Sequence, residues 1–294
     1  MTRRQFAHWA ALAPLAAQTK PVRVIDPHVH VWTHDPKYPW AKETTNPPKE
    51  EALPETLLKL MEASGVLHTV IIQFIGYRWD NTYARDTIRR YPGKFLGVAR
   101  VNPESPAAPD DLSRLVKEDG FRGVRISPAG NASGDWIGGP LMPPLWRRTQ
   151  ELKVPMTVLT STTRLPQVGK LIEPFPDLDV VIDHMADCPP DRPDELKKLL
   201  DLARYPRVYV KISHTWSLSK QPYPYPDTHH QVKKLYDAFG PRRLMWGTDW
   251  PLVERHCGYA KALALVRDEM KFLNDEDKRW MLAGTIERVW PFRG

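Results

Sequence analysis

Beyond about residue 20, two kinds of segment alternate along the chain. Short apolar runs rich in Val and Ile occupy 22–26, 68–73, 95–101, 120–127, 155–160, 179–184, 207–213 and 243–249. Between them, apolar residues recur every three or four positions over 54–64, 82–91, 109–118, 145–152, 165–175, 193–203, 228–239 and 259–272, with a final such stretch over 276–289. The first pattern predicts strands and the second amphipathic helices. Strands that are apolar on both sides and alternate with helices belong to a parallel sheet covered on both faces. Eight such units predict a single (β/α)8 barrel, a TIM barrel, with an extra C-terminal helix. A doubly wound open sheet is the alternative. No G-x-G-x-x-G follows an early strand, which removes the usual dinucleotide reason for that fold.

A barrel gathers the C-terminal ends of its strands at one mouth, so polar residues at those ends acquire meaning. The first run leads into Asp26, His28 and His30, and the second ends in Gln73. The fourth ends near Arg125 and Ser127, the sixth in Asp183-His184, and the seventh in Lys211, Ser213 and His214. The eighth ends in Thr248-Asp249-Trp250-Pro251. His28 and His30 are spaced by one residue, so on a strand both imidazoles point to one side. Asp249 follows Leu-Met-Trp-Gly-Thr, where a buried carboxylate needs a partner or a cation. Asp26 is expected to brace its surroundings. Lys211 alternates with Val210 and Ile212 and is expected to point at a helix and snorkel outward. His214 is expected to be a loop histidine.

Composition narrows the field. Of 294 residues, 41% are hydrophobic and 26% charged, enough for a sizeable core. The formal charge of +7 comes from scattered Lys and Arg without a long basic run. That favours a small, anionic substrate and gives no nucleic-acid footprint. The 30 prolines gather in loops such as Pro222-Tyr223-Pro224-Tyr225-Pro226. Cys188 and Cys257 form no C-x-x-C motif, and their pairing stays open. Residues 1–19 carry Thr2-Arg3-Arg4-Gln5-Phe6 before an Ala/Leu-rich run, which resembles a twin-arginine export signal. The expectation is export to the periplasm, with a cytoplasmic protein bearing a flexible leader as the alternative. The run is too short to span a bilayer, and no stable membrane insertion is expected. Residues 20–294 form the barrel domain.

Asp26-x-His28-x-His30, Asp183-His184 and the phrase Gly247-Thr248-Asp249-Trp250-Pro251 together resemble the amidohydrolase-related family of metal-dependent hydrolases. Within it, the chain looks most like the sugar-lactone and 2-pyrone-4,6-dicarboxylate lactonase branch. Tyr38-Pro39-Trp40, 208–213 and 284–290 fit that group as well, and the resemblance runs from Val22 to Phe292. It implies a barrel with His28, His30 and Asp249 around the reacting centre. Asp249 would be the general base, and His184 would bind a metal or polarise the substrate carbonyl. Many relatives place a histidine at the end of the fifth strand; here that strand reads Pro155-Met156-Thr157-Val158-Leu159-Thr160. The lactonase branch commonly lacks it too, and some of its members work without metal.

Lactone hydrolysis needs an attacking water, a base, and a positive group at the developing oxyanion. His28, His30, His184 and Asp249 can hold a divalent ion, with Zn2+ the first choice, that leaves a position open for water. Without metal, the same histidines and Arg125 would polarise the carbonyl. Arg125 is also a candidate clamp for a substrate carboxylate. Gln73, Trp32, Tyr77 and Trp250, with Trp216, are candidates for the substrate-binding wall. A decarboxylase of the same superfamily and a non-catalytic ligand-binding barrel are the competing readings.

Overall fold

The computed structural model describes residues 22–127 and 135–292. The export-signal reading of residues 1–19 lies outside the described residues. Eight strands follow the chain in order: β1 (Ile25–Val29), β2 (His68–Ile72), β3 (Phe95–Arg100), β4 (Val124–Ile126), β5 (Met156–Val158), β6 (Val180–Ile182), β7 (Val208–Ile212) and β8 (Leu244–Trp246). Each pairs in parallel with the next. The ring closes just beyond β8. Val29 bridges in parallel to Trp250, His30 N–H donates to the Trp250 carbonyl at 2.7 Å, and Asp249 N–H donates to the His28 carbonyl at 2.9 Å. Trp246 Nε1 adds a bond to the Ile25 carbonyl at 2.7 Å. This is the (β/α)8 barrel that the alternating pattern implies.

Helices cover the outside: α1 (Pro54–Ser64), α2 (Thr82–Arg90), α3 (Ala108–Lys117), α4 (Met142–Glu151), α5 (Leu165–Ile172), α6 (Pro193–Leu200), a single turn α7 (Thr215–Leu218), α8 (Pro226–Phe239) and α9 (Tyr259–Ala264). Six of them, α1, α3, α4, α5, α6 and α8, carry Pro in the first turn, where its missing N–H costs nothing. The C-terminal stretch is not one uninterrupted α-helix. It runs as α10 (Asp275–Arg279), a π turn at Trp280–Gly284, and α11 (Thr285–Val289). Asn274 starts it with a capping box closed by Asp277. The π turn packs on β1 and β8, and α11 leads to Trp290, which is fully buried beneath the Lys211 ammonium.

Two boundaries differ usefully from expectation. β1 begins and ends three residues later than 22–26, so His28 lies within the strand and His30 one residue past it. The polar Asp26-Pro27-His28 stretch looks like a strand end, yet pairing with β2 carries it on to Val29. β4 is only Val124–Ile126, the inner part of 120–127. Cys188 and Cys257 are free thiols. Among the described residues, no helix is long and apolar enough to cross a membrane.

Candidate active site

The barrel mouth assembles its polar residues from alternate, inward positions of β1, β4, β6, β7 and the exit of β8. Asp26, His28, His30, Arg125, Asp183, His184, Lys211, Ser213 and Asp249 are all buried. At the last three strand ends the backbone is left-handed at non-glycine residues. His184, Met185, Ala186 and Asp187 have φ of 51°, 53°, 55° and 48°, His214 has 61°, and Asp249 has 58°. Each such residue costs about 1–2 kcal/mol in an L-chain. Strain of this kind persists only where surrounding structure enforces it, and it clusters at functional sites. Here it turns the chain sharply as it leaves β6, β7 and β8, so that His184, His214 and Asp249 stay over the mouth.

Below them runs a buried charge relay. Arg125 Nε donates to Asp183 Oδ2 at 2.8 Å. Lys211 Nζ is 3.0 Å from Asp183 Oδ1 and 3.1 Å from His28 Nδ1. His28 Nδ1 is itself 3.4 Å from Asp183 Oδ1. Burial pushes Asp183 up, but Lys211, His28 and Arg125 outweigh it and hold the carboxyl well below its ordinary value. Burial, with the Lys211 ammonium beside it, pushes His28 down to about 3, so the imidazole is neutral. Lower in the barrel, Asp26 braces the seam. It accepts from His28 N–H at 3.1 Å, Thr248 N–H at 3.2 Å and the Thr248 hydroxyl at 2.6 Å. Burial still lifts its carboxyl to about 6.

Asp249 is the hub. Its Oδ2 meets His214 Nε2 at 2.5 Å, and its Oδ1 is 3.1 Å from His30 Nε2 and 3.3 Å from His28 Nε2. Burial raises the carboxyl, but His214 and His30 more than offset this and keep it ionised, well below the usual range. Burial lowers His214, yet Asp249 and Asp187 prevail and lift it to about 9. His214 is therefore an imidazolium bound to Asp249. It stacks on His184 at 3.6 Å between ring centroids, and His184 Nδ1 meets Ser213 Oγ at 2.8 Å. Burial, reinforced by His214, holds His184 neutral.

The donor set suits a cation. His30 Nδ1 is 2.7 Å from the Ile72 carbonyl, which can only accept, so Nδ1 carries the proton. In neutral His30, Nε2 is then a bare lone pair directed at a carboxylate. His28 Nε2 and Asp249 Oδ1 are both buried without a hydrogen-bond partner. A proton between His30 and Asp249 would satisfy that pair alone, whereas a divalent ion among His28, His30 and Asp249 satisfies all three. Ligand atoms of these three residues lie within 4.8 Å of one another, and His184 belongs to two adjoining sets, with His28 and Asp183 and with His214 and Asp249. His28 turns Nε2 to this position, while its Nδ1 faces Lys211 Nζ at 3.1 Å and Asp183 Oδ1 at 3.4 Å, which fix the ring. On β5 the inward residue is Thr157, buried with an unpartnered hydroxyl, and not a histidine.

The residues expected to line the substrate wall divide. Arg125 points into the barrel, with its Nε committed to Asp183. Gln73 is buried and ties the β2 exit to the Asp80 carbonyl. Trp32 is buried, donates to the Glu50 carbonyl at 2.7 Å and packs on Phe74. The Tyr77 hydroxyl bonds both the N–H and the carbonyl of Thr33, and its ring stacks on Trp40. Trp250 is buried at the barrel seam. Trp216 is only half-buried and lies between His214 and His256.

Two sequence expectations fail. Lys211 does not snorkel outward; it is fully buried inside the barrel. In a parallel barrel both faces of a strand are covered, so alternation with Val210 and Ile212 does not say which side is interior. Nor is His214 a bystander in a loop. The turn straight after β7 places it on Asp249, and only its position one residue beyond Ser213 could have signalled this.

A family model described as amidohydrolase matches residues 25–292. The chain is 30% identical to L-fucono-1,5-lactonase of Burkholderia ambifaria over 243 residues, covering 80% of this chain and 82% of that protein. It is 27% identical to 4-sulfomuconolactone hydrolase of Hydrogenophaga intermedia, covering 80% of this chain and 75% of that one. An amidohydrolase from Burkholderia multivorans, solved with bound zinc, superposes with a TM-score of 0.76 at 21% identity, over 92% of this chain and all of its own.

Proposed function

The chain belongs to the amidohydrolase family, and from that premise we propose that it hydrolyses a lactone by water attack, with Asp249 as base. The observation that carries the reading is Asp249 itself. It is a buried, ionised carboxylate, oriented by His214 through Oδ2, with Oδ1 turned to His28 and His30 at the barrel mouth. The 30%-identical fuconolactonase and the sulfomuconolactone hydrolase, both named for cyclic esters, support the reaction class.

In the reaction, the water oxygen bonds to the ester carbon and Asp249 takes the water proton. The ring C–O bond then breaks, and the same proton passes to the departing alkoxide, giving a ring-opened hydroxy acid. With Ser213 donating to His184 Nδ1, His184 presents Nε2–H to the carbonyl oxygen, where negative charge develops. His214 holds Asp249 in place and keeps it ionised. His28, His30 and Asp249 would hold a divalent ion, for which zinc is our first choice. Such an ion supplies Lewis acidity and lowers the pKa of water towards 7. We extend the reading to location: residues 2–17 support export through a twin-arginine signal, which fractionation of tagged full-length protein checks.

The test is Asp249→Asn against a panel of sugar-acid and small dicarboxylate lactones, with products identified by NMR. Loss of turnover by at least about 10³-fold in a protein that still folds cooperatively is expected. Undiminished hydrolysis removes Asp249 from its role. Release of CO2 without ring-opened product replaces the hydrolase with a decarboxylase. Tight sugar binding without turnover of any panel member leaves a binding barrel.

A further inference from the structure

At the end of β3, Arg100 presents a charge that the mechanism does not use. Its side chain is 2% exposed, although it is a guanidinium. Nη1 donates to Ser127 Oγ at 2.7 Å, while the buried Nε has no hydrogen-bond partner. Among the described residues, no carboxylate lies within ion-pair distance of it, and the segment 128–134 that follows Ser127 contains no acidic residue. Two cations lie near it, and their repulsion outweighs the pull of the buried Asp183. Burial, together with Arg125 and Arg78, lowers Arg100 to about 9. Arg100 and Arg78 both approach the Trp79 ring, with Cζ atoms 5.4 and 6.0 Å from its centre. Arg78 itself has φ 52° and, among the described residues, pairs only with the exposed Glu43, at 3.9 Å.

A buried cation without a counter-charge is costly, so its retention calls for an anion that comes from outside. Arg100 forms part of the wall of a cavity of about 290 Å3, together with Thr44, Asn46, Phe74, Arg78 and Glu43, the last with its side chain 62% exposed to solvent and within ion-pair distance of Arg78 only. Phe74, which lines this cavity, also packs against the reaction centre, its ring 5.6 Å from that of His30. Arg125, by contrast, already has a counter-charge, since its Nε is paired with Asp183 at 2.8 Å.

We propose that Arg100, backed by Arg78, forms an anion subsite that receives a carboxylate or sulfonate substituent of the substrate, three strands round the barrel from Asp249. The substrate class is thus an anionic lactone and not a neutral sugar lactone. The assignment of substrate rests on the lactone-hydrolase reading; the anion subsite itself does not.

Two measurements on the full-length protein separate these. The first is the ratio of kcat/KM for a carboxylate-bearing lactone to that for an uncharged lactone of equal ring size. Arg100→Gln should lower this ratio about 10–100-fold, through KM more than kcat, and Arg100→Lys should recover part of it. The second is calorimetric binding of muconate, a dicarboxylate with no ester to cleave, to Asp249→Asn protein. Its affinity should fall by a similar factor when Arg100→Gln is added, and less with Arg78→Gln. Arg100→Gln alone should melt no lower than wild type without muconate, and should lose the stabilisation that muconate gives wild type. A merely structural arginine would lower the melting temperature. Lactones opened with an unchanged ratio overturn the subsite and leave the function standing. Arg100-dependent muconate binding without any lactone turnover overturns the function and leaves the subsite standing. If Arg100→Gln does not fold, Arg78→Gln decides, and unaltered muconate affinity in it refutes the subsite.

Discussion

Replacing Lys211 by Met tests whether the buried charge relay exists as drawn. The substitution keeps length and removes one ammonium. Lost are the 3.0 Å contact to Asp183 Oδ1, the 3.1 Å contact to His28 Nδ1, and the cation–π contact to Trp290 at 5.2 Å. Breaking a buried ion pair from one side costs about 3–5 kcal/mol. Asp183 retains Arg125 at 2.8 Å, so the lower end applies, about 3 kcal/mol. For a domain of this size that lowers the melting temperature by about 6–12 °C. Asp183→Asn should be worse, because one carboxylate serves two cations and its loss strands both Lys211 and Arg125. The double variant should be less destabilised than the sum of the singles, by about 1–3 kcal/mol. Chemical denaturation in the presence of a chelator reads these differences without a contribution from metal linkage. A Lys211→Met protein within about 2 °C of wild type, or an Asp183→Asn protein more stable than Lys211→Met, refutes the reasoning.

Two further outcomes follow from the hub at Asp249. His214→Gln keeps a donor near Oδ2 but removes the imidazolium, so kcat should fall about 10–100-fold, the value of one charge-assisted hydrogen bond, with KM little changed; an equal rise in KM would instead make His214 a substrate-binding group. Chelation and dialysis should abolish hydrolysis and lower the melting temperature. Zinc at about 100 times its dissociation constant should restore about 2.7 kcal/mol of stability in wild type and far less in His30→Asn, and a melting temperature blind to zinc in both argues against a metal on these ligands.

The legible part of this molecule was its periodicity and the polar tips of its strands. Eight apolar runs announced the barrel because a parallel sheet covered on both faces leaves few positions for polar residues. The exceptions therefore stood out where the covering ends, as His28, His30, His184 and Asp249 did. Within a run the same logic fails. Lys211 and Arg100 sit among Val, Ile and Ala on strands whose two faces are both buried. Sequence alternation alone could not say which residue entered the barrel, and a lone cation in an apolar run is most economically read as snorkelling. His214 escaped for a different reason. Its contact with Asp249 depends on a left-handed residue directly after β7, a conformation that no glycine or asparagine there advertises.

That last point bears on how the site is built. The three exits that carry His184, His214 and Asp249 all spend backbone energy on positive φ at non-glycine residues. Glycine would relieve each, but at 184, 214 and 249 it would also delete the imidazole or carboxylate. The strain is thus tied to the side chain it positions, and it is sustained by the contacts that the side chain makes. His184 holds Ser213 and stacks on His214, which in turn grips Asp249. Asp249 N–H, for its part, bonds the His28 carbonyl and closes the barrel. The same residue therefore serves as hub of the site and as a link in the seam. A substitution that keeps the main chain and changes only the carboxylate, as Asp249→Asn does, separates those two duties, whereas truncation or glycine at 249 confounds them.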